Sequence, residues 1–385
     1  MDPCSVYVHL PFCRSRCPYC DFASSEPEAI PFDEYTEALT AEWQSRAHAL
    51  GGETAHTVYV GGGTPSLWPA DRLAAILGLV GAKRAGEVTV EVNPGDAAPG
   101  WFGHLVGSGT TRFSIGVQSL DDARLRWLGR RHDSAQARAA VAMARTSGAS
   151  SVGGDLIYGT PGQTVDGLLA EARELADLGV DHVSAYELTV APGTKLGRMA
   201  ATRDLALPDE DDMADLWRAL GEAFAAYGFE RYEVSNFARP GHRCRHNEHT
   251  WRGGAYVGLG AGAHGFLTAH GARRRYANSA DVSSYIEAVR TNATSNPMGG
   301  LGRDVFFEDI APECHARELV MLGLRTADGV DLAHALSLVP VSRRDAWTSE
   351  AESLVDRGLT VMVGTRLVPT LRGMLLADGL AERFF

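Results

Sequence analysis

The sequence predicts an α/β fold: an open, partial (β/α)6 barrel followed by a smaller, mainly helical domain that resembles a winged helix. Three observations support this fold class. Short apolar runs typical of strands alternate with helical segments up to about residue 237. Polar or glycine-rich residues stand at the ends of these runs, and helices followed by a hairpin occupy the last part of the chain. A doubly wound sheet is the alternative for the first part.

The first part of the chain alternates β-rich runs with segments of helical periodicity. The predicted strands are Ser5–Phe12, His56–Gly62, Val88–Pro94, Thr111–Ser119, Ser151–Gly159 and His182–Thr189. The predicted helices are Asp33–Leu50, Ala70–Gly81, Ser134–Ser147, Thr164–Leu178 and Asp209–Tyr227. Asp33, Ser134 and Thr164 are residues that favour helix N-caps. Strands alternating with helices indicate βαβ units and a parallel sheet.

Each predicted strand brings a polar or glycine-rich element to its carboxyl end. These elements are the Cys13–Cys20 loop, Gly61–Pro65, Glu91 and Asn93, Gln118, Asp155, and Tyr186 with Glu187. Ligand sites in parallel α/β folds lie at the carboxyl ends of the strands. We therefore expect one site served by all of the strands, and this expectation favours the barrel over the doubly wound sheet.

The first of these elements contains Cys13, Cys17 and Cys20 in the spacing CxxxCxxC, with no fourth cysteine nearby. A [4Fe–4S] cluster normally takes four cysteine thiolates, so three would leave one iron open for a reacting ligand. A structural zinc site with His9 as its fourth ligand is the alternative, although His9 lies inside an apolar run. Disulfides fit poorly, because the N-terminus does not resemble a secretory signal and we expect a reducing compartment.

Charge and hydropathy exclude several classes of function. Lys and Arg total 36 against 48 Asp and Glu, a net charge of −12, so binding to nucleic acid or anionic membrane by general electrostatics is not expected. No apolar run approaches the roughly 18 residues that cross a bilayer. Residues 303–385 contain nine arginines, no lysine and thirteen acidic residues, which argues against DNA binding by the winged-helix-like part. We expect a cytoplasmic protein that is not an integral membrane protein.

The ordered motifs together resemble the radical S-adenosylmethionine (SAM) superfamily, in the branch of the oxygen-independent coproporphyrinogen III oxidases (HemN) and the haem chaperones (HemW). The motifs are Tyr7–Cys13 (YVHLPFC), the CxxxCxxC loop, Gly61–Pro65 (GGGTP) and Asp155–Gly159 (DLIYG). The resemblance covers nearly the whole chain. It implies a radical SAM core at 1–237, a connecting segment at 238–302 with an HNxxxW-type motif, and a HemN/HemW-type C-terminal domain at 303–385.

The resemblance implies that Cys13, Cys17 and Cys20 hold a [4Fe–4S] cluster and that SAM binds the open iron. The implied SAM-binding residues are Tyr7, Tyr19, Gly62, Gly63, Thr64, Glu91, Gln118, Arg131 and Asp155. Arg131 is favoured over its neighbour Arg130. The glycines are expected to let the backbone approach SAM, since glycine has no Cβ to obstruct it.

Two details favour the HemW side of the branch. HemN-type oxidases have a further cysteine two residues after the third ligand, where this chain has Phe22. Residues 244–251 (CRHNEHTW) resemble the HNxxYW motif of the HemW sequences, with Thr250 in place of the tyrosine. His246 is then the leading candidate for a haem ligand, since imidazole is a standard axial ligand. The competing candidates nearby are His242, Cys244 and His249.

The function that the resemblance implies is that of a haem chaperone without coproporphyrinogen oxidase activity. Such a protein binds haem and delivers it to an acceptor protein, with the cluster and SAM held in the barrel. An electron donor such as a flavodoxin or ferredoxin is a further expected partner. The alternative is an oxygen-independent coproporphyrinogen III oxidase, which would form protoporphyrinogen IX by oxidative decarboxylation.

Overall fold

The structure is a computed structural model, and it describes residues 3–203, 205–269, 271–291 and 304–385. Within these ranges the strands are β1 (Cys4–Leu10), β2 (Val58–Gly62), β3 (Val88–Val92), β4 (Arg112–Gln118), β5 (Ser151–Tyr158), β6 (His182–Glu187), β7 (Glu230–Arg231), β8 (Asn236–Ala238), β9 (Ala255–Leu259), β10 (His264–Ala269), β11 (Ala272–Asn278), β12 (Asp304–Asp309), β13 (Val330–Asp331), β14 (Thr360–Val363) and β15 (Arg366–Pro369). The helices are α1 (Phe32–Arg46), α2 (Ala70–Leu79), α3 (Trp101–Gly107), α4 (Asp122–Trp127), α5 (Ser134–Thr146), α6 (Val165–Asp177), α7 (Lys195–Ala200), α8 (Glu210–Ala226), α9 (Arg245–Trp251), α10 (Val282–Thr291), α11 (Pro312–Gly323), α12 (Leu332–Leu338), α13 (Val341–Asp356), α14 (Leu371–Leu375) and α15 (Ala377–Ala381).

The central strands β1 to β6 pair in chain order, and each is parallel to the next. Helices lie between successive strands along the chain. Sequential order is that of a (β/α) barrel, whereas a doubly wound sheet reverses its order near the middle. The predicted partial barrel is therefore confirmed. The sheet continues beyond both edges of the barrel part, in the order β12-β11-β10-β9-β1 on one side and β6-β8-β7 on the other.

Residues of the parallel strands alternate between two very different environments. One set packs against the surrounding helices in the main hydrophobic core: Val6, Val8, Leu10, Val58, Val60, Val88, Val90, Val92, Phe113, Ile115, Val117, Val152, Leu156, Val183 and Ala185. The other set faces the interior: Tyr59, Thr89, Glu91, Arg112, Ser114, Gly116, Gln118, Asp155, Ile157, His182, Ser184 and Tyr186. Successive side chains of a strand point to opposite faces. The outer face of the sheet therefore forms the core, and the inner face surrounds a mostly polar space.

The C-terminal part has a hydrophobic cluster of its own, built around residues such as Leu324, Trp347 and Leu354. Its small sheet has the order β13-β15-β14. The hairpin predicted at Leu359–Pro369 is present as antiparallel β14 and β15, with Gly364 at φ +63 in the turn. Helices and a hairpin match the winged-helix-like prediction, and the short helices α14 and α15 follow the hairpin. The domain boundaries stay predictions, and the one near residue 302 falls outside the described residues.

Sequence reasoning missed several elements, among them α3, α4, α7, α10, β7 and β8. Strands β9 to β12 and helix α9 were missed as well. Helix α9 and strand β9 lie in the stretch 239–265, which shows no clear periodicity, and β10 begins in it. These elements are short, and β9 and β10 are interrupted by glycines that weaken strand patterns. None of the helices in the described residues is long and apolar enough to cross a membrane.

The predicted helix N-caps are correct in one case and shifted in two. Thr164 caps α6 as expected. Asp133 rather than Ser134 caps α5, with a capping box. Helix α1 begins at Phe32, so Asp33 lies in its first turn. The cap residue is set by the backbone conformation with which the chain enters the helix, and two neighbouring cap-forming residues look alike in sequence.

The glycines after β2 allow this segment to press against the end of β1. A Cβ at Gly63 would lie 2.6 Å from the carbonyl carbon of Pro11. A Cβ at Gly62, which has φ +112, would lie 2.6 Å from Cε1 of His9. The expectation that these glycines make room for a ligand therefore misses their packing role: each accommodates atoms of the chain itself.

We predict that Gly63→Ala lowers the free energy of unfolding by about 1–3 kcal/mol, because backbone atoms must shift to admit the methyl group. Urea denaturation measures this change. The matched control is Gly78→Ala in α2, where a Cβ meets no atom within 4 Å. That control should be neutral or stabilising by up to about 1 kcal/mol. Equal stabilities of the two variants would contradict the packing role of Gly63.

Candidate cofactor site

A cavity of about 440 Å³ lies inside the barrel and extends from the cysteine loop to the segment that begins α9. Most of the predicted site residues line it: Cys13, Cys17, Cys20, Tyr19, Gly62, Gly63, Thr64, Glu91, Gln118, Arg131 and Asp155. Tyr7 is not in the lining and shares a hydrogen bond of 2.9 Å with Nδ1 of His9. The expected convergence of the strand ends on one cavity is therefore present. Binding of a cofactor by these residues stays a prediction.

The cysteine loop follows β1 and is closed by backbone hydrogen bonds. The Cys13 N–H donates to the Ser25 carbonyl at 2.9 Å, and the Cys20 N–H donates to the Cys17 carbonyl at 3.1 Å. The Arg16 side chain donates to the carbonyl of Cys20 at 3.1 Å. These contacts fix the loop so that its three thiols line one cavity.

The surroundings of the thiols fit a three-cysteine iron–sulfur cluster. Thr64 Oγ1 donates to the sulfur of Cys13 at 3.6 Å, and Arg130 Nη1 donates to the sulfur of Cys17 at 3.5 Å. Donors and positive charge near a ligand sulfur favour the thiolate that a cluster requires. Burial raises the pKa of the Cys13 and Cys20 thiols, so both are protonated until metal binding displaces the protons.

Arg130, rather than Arg131, is the arginine at the centre of this site. Its guanidinium donates to the Tyr19 hydroxyl at 3.4 Å and the Gly116 carbonyl at 3.1 Å, and it also contacts the Asn93 side chain. Arg131 lines the cavity as well, so its contact with SAM stays a prediction. The two arginines occupy adjacent positions in a loop without periodicity, and nothing in the sequence distinguishes them.

Two carboxyl groups, Glu91 and Asp155, face the middle of the cavity. Glu91 accepts hydrogen bonds from the Tyr59 hydroxyl at 2.8 Å and from the Gly62 N–H at 3.1 Å. The Ser114 hydroxyl donates to Asp155 at 3.1 Å. Burial raises the pKa of Glu91 to about 7 and that of Asp155 to about 6. Both groups can accept hydrogen bonds from hydroxyl or ammonium groups of a ligand, and both titrate near neutral pH.

Gln118 has a strained backbone at the end of β4. Its φ is +63, a left-handed conformation that residues other than glycine rarely adopt. The register between β4 and β5 shifts just before this position. Such strain concentrates at ligand sites, where it directs a side chain that regular strand geometry would place elsewhere. Gln118 lines the cavity.

His246 lies at the opposite end of the barrel from the cysteine loop, in what we call the barrel floor, formed by α9 and residues 242–244. It is 7% exposed, and its Nδ1 lies 2.7 Å from Oγ1 of Thr57. Its ring centroid lies 5.1 Å from that of Tyr59. Burial lowers the pKa of His246 to about 3. The structure therefore holds His246 as a neutral, mostly buried side chain whose Nδ1 is engaged by Thr57.

The competing candidates also lie in the floor. The Cys244 thiol is buried, with its pKa raised to about 12, and donates to Glu87 at 3.7 Å. His249 shares a hydrogen bond of 2.9 Å with the Ala255 carbonyl. The His242 carbonyl accepts a hydrogen bond from Arg112 at 3.1 Å.

Phe22, at the other end of the barrel, is 60% exposed beside the cysteine loop.

Comparison with known proteins identifies the family. The Radical SAM superfamily pattern matches residues 7–175, and the HemN C-terminal domain pattern matches residues 310–376. A Mycobacterium tuberculosis protein named heme chaperone HemW is 39% identical over 388 aligned residues, which cover 99% of this chain and 94% of that protein. The chain belongs to the HemW family of radical SAM proteins. The predicted resemblance is confirmed.

Other similar proteins agree with this assignment to the HemW family. Heme chaperone HemW of Escherichia coli is 36% identical over 273 residues, covering 70% of this chain and 71% of that protein. The mouse protein named radical S-adenosyl methionine domain-containing protein 1, mitochondrial, is 32% identical and covers 98% of this chain and 86% of that protein. The structure of coproporphyrinogen III oxidase HemN from Escherichia coli matches with a TM-score of 0.83 at 22% identity, covering 100% of this chain and 90% of that one. This last match shows a shared fold.

We predict that the ionisation of Glu91 destabilises the folded apoprotein as the pH rises. Its ordinary pKa of 4.5 applies to the unfolded chain, and the folded value is about 7. Between these values the folded state keeps a proton that the unfolded state loses, so stability falls as the pH rises through this window. Glu91→Gln should therefore be more stable than the wild type at about pH 8, by up to about 3 kcal/mol.

Urea denaturation of both proteins on either side of the window measures this difference, and it should disappear at about pH 4. Glu34→Gln on the exposed side of α1 controls for the loss of a carboxylate. A Glu91→Gln advantage that does not depend on pH would contradict the raised pKa.

Proposed function

We propose that this protein is a haem chaperone. It would hold a [4Fe–4S] cluster on Cys13, Cys17 and Cys20, bind SAM in the barrel cavity, bind haem, and transfer the haem to an acceptor protein in the cytoplasm. The observation that carries the proposal is the full-length similarity to heme chaperone HemW of Mycobacterium tuberculosis, at 39% identity. Phe22, in place of the cysteine of HemN-type oxidases, agrees with it.

The cavity residues would divide into cluster-holding and SAM-holding groups. The cluster, when bound, supplies one-electron chemistry at an iron that no cysteine occupies. Thr64 and Arg130 would stabilise the thiolate sulfurs of Cys13 and Cys17 through the hydrogen bonds described above. Arg130 would also orient Tyr19 against the same ligands.

The remaining cavity residues would orient SAM. Glu91 and Asp155 would accept hydrogen bonds from its ribose hydroxyls or its ammonium group. Gln118, Arg131 and the Gly62–Thr64 segment line the same cavity and would complete the contacts. Tyr7 lies outside the lining and would act indirectly, by holding His9 next to Gly62.

His246 remains our proposed haem ligand, and its contacts indicate what haem binding would require. Thr57 engages Nδ1 of His246, so haem iron would bind Nε2, or would bind Nδ1 after His246 separates from Thr57. The floor is also tied to the C-terminal part, since Arg252 pairs with Asp328 at 2.8 Å. Haem binding through Nδ1 would therefore be coupled to a shift of α9 against Asp328.

The fold shared with HemN supports one second candidate, an oxygen-independent coproporphyrinogen III oxidase. This candidate needs turnover of coproporphyrinogen III with SAM and a reductant. The chaperone proposal needs haem binding and no such turnover. An electron donor such as a flavodoxin or ferredoxin would serve either function, and Arg14 and Arg16 beside the cluster loop would suit an acidic donor surface.

We expect the anaerobically reconstituted protein to contain about four irons and four sulfides per chain. Cys17→Ser should lose the cluster, because two thiolates do not hold it. Cys314→Ser, which changes an exposed cysteine of α11, should retain the full iron and sulfide content. Stoichiometric zinc without sulfide in the wild type would contradict the cluster proposal.

We expect a haem titration of the wild type to give a red-shifted Soret band that is absent in His246→Ala. His334→Ala, at an exposed histidine, is the matched control and should behave as the wild type. Because His246 is buried, circular dichroism should show that the variant is folded. Thr57→Val keeps the imidazole but removes its hydrogen bond, so haem should bind this variant faster than the wild type.

Two results would overturn this proposal. An unchanged Soret band in His246→Ala would exclude His246 as the ligand. Conversion of coproporphyrinogen III by the wild type with SAM and reductant would replace the chaperone by the oxidase.

A further inference from the structure

The inner end of the barrel cavity contains a buried arginine without an acidic partner. Arg112 is 2% exposed and lines the cavity. Its Nη1 donates to the Ser151 hydroxyl at 3.0 Å and to the His242 carbonyl at 3.1 Å. In the part of the chain that the structure describes, no carboxylate forms an ion pair with it. A buried charge without a counter-ion is strongly destabilising.

The nearest acidic groups are already engaged. Glu87 accepts from the backbone N–H of His246 at 3.1 Å and of Arg245 at 3.2 Å. Asp155 accepts a hydrogen bond from the Ser114 hydroxyl, and it lies two residues after Gly153 on β5. Both attract Arg112 at longer range. Neither fills the space directly beside its guanidinium.

The Arg112 guanidinium lies beside Gly153. A Cβ built on Gly153 would lie 3.4 Å from Nδ1 of His182 and 3.6 Å from Nη2 of Arg112. The two polar atoms therefore lie on the same side of Gly153, and both residues line the barrel cavity. Gly153 pairs in register with His182.

Two further polar atoms, on residues that line the same cavity, have no hydrogen-bond partner within the described part of the chain. Nδ1 of His182 and Oγ1 of Thr89 are buried and unpartnered in the described residues. Nε2 of His182 lies 2.8 Å from the Tyr232 hydroxyl, and the oxygen of Tyr232 accepts from the Cys244 N–H at 3.4 Å. A neutral imidazole that accepts from the Tyr232 hydroxyl at Nε2 carries its proton on Nδ1, and this is the tautomer that an anion site requires. Thr89 pairs in register with Arg112 and lines the same cavity.

We propose that Arg112, His182 and Thr89 form a binding site for a small monovalent anion, a carboxylate group or a halide, over Gly153. The site supplies one positive charge and up to two neutral donors, which suits a single negative charge. Its ligand is either a free anion or the carboxylate of a larger molecule that enters the cavity. The proposal goes beyond the haem function and does not depend on the cluster.

Formate and bromide are the probes. Bromide soaked into crystals of the full-length protein should give an anomalous peak over Gly153, in contact with Arg112 and His182. Sodium formate at constant ionic strength, balanced with sodium gluconate, should raise the melting temperature of the protein in a saturable way.

Gly153→Ala fills the site at ordinary van der Waals distances and should abolish both effects while the protein remains folded. Thr89→Val should weaken formate binding about tenfold, since one donor to a charged group is lost. The matched controls are Gly78→Ala and Thr110→Val; Thr110 is a buried threonine outside the cavity whose hydroxyl is also unpartnered. Both controls should bind formate as the wild type does.

The two sources of the ligand are separated by adding SAM to the cluster-loaded protein. Formate binding that persists beside SAM identifies a free anion, and competition identifies the carboxylate of the larger ligand. A water molecule at this point in the bromide-soaked crystal would overturn the proposal. Formate stabilisation that is unchanged in Gly153→Ala and Thr89→Val would overturn it as well.

Discussion

The alternation of apolar and polar side chains along six parallel strands is the constraint on which the rest of the structure depends. Outward valines, leucines and isoleucines bury the sheet against its helices, which stabilises the barrel. The inward positions are mostly polar or glycine, so they do not form the packed apolar core that fills a closed (β/α)8 barrel. The interior therefore stays available as a cavity, and the loops after the strands can place the cysteines at one end of it.

The polar interior also explains the unusual electrostatics. Glu91 and Asp155 have raised pKa values because they are buried, and their own hydrogen bonds offset this only in part. Arg112 and Arg130 bring positive charge into the same enclosed space. Groups of both signs in a cavity that is enclosed by protein interact more strongly with a charged ligand than they would in bulk water. The barrel interior of this protein thus presents charged and hydrogen-bonding side chains at both of its ends.

The parallel strands, the cysteine loop and the polar rim could be predicted from sequence because each depends on local pattern or on strand direction alone. The barrel floor could not be predicted, because it depends on contacts between distant residues: Thr57 with His246, and Glu87 with Cys244. The burial of His246, which the sequence alone suggests as an accessible metal ligand, follows from those contacts. The contacts of Arg130 with Cys17 and Tyr19 likewise depend on the direction of one loop. The inward-facing polar residues could also be recognised in the sequence, because they recur at every second position of a strand.

The central claim is that three cysteines at the mouth of this cavity hold a [4Fe–4S] cluster with one iron left open for SAM. Electron paramagnetic resonance of the reduced, reconstituted protein with and without SAM tests it most directly. We predict the spectrum of a reduced [4Fe–4S] cluster whose g values shift when SAM is added, because the ligand binds the open iron. The absence of a cluster spectrum, or a spectrum that SAM leaves unchanged, would contradict the claim.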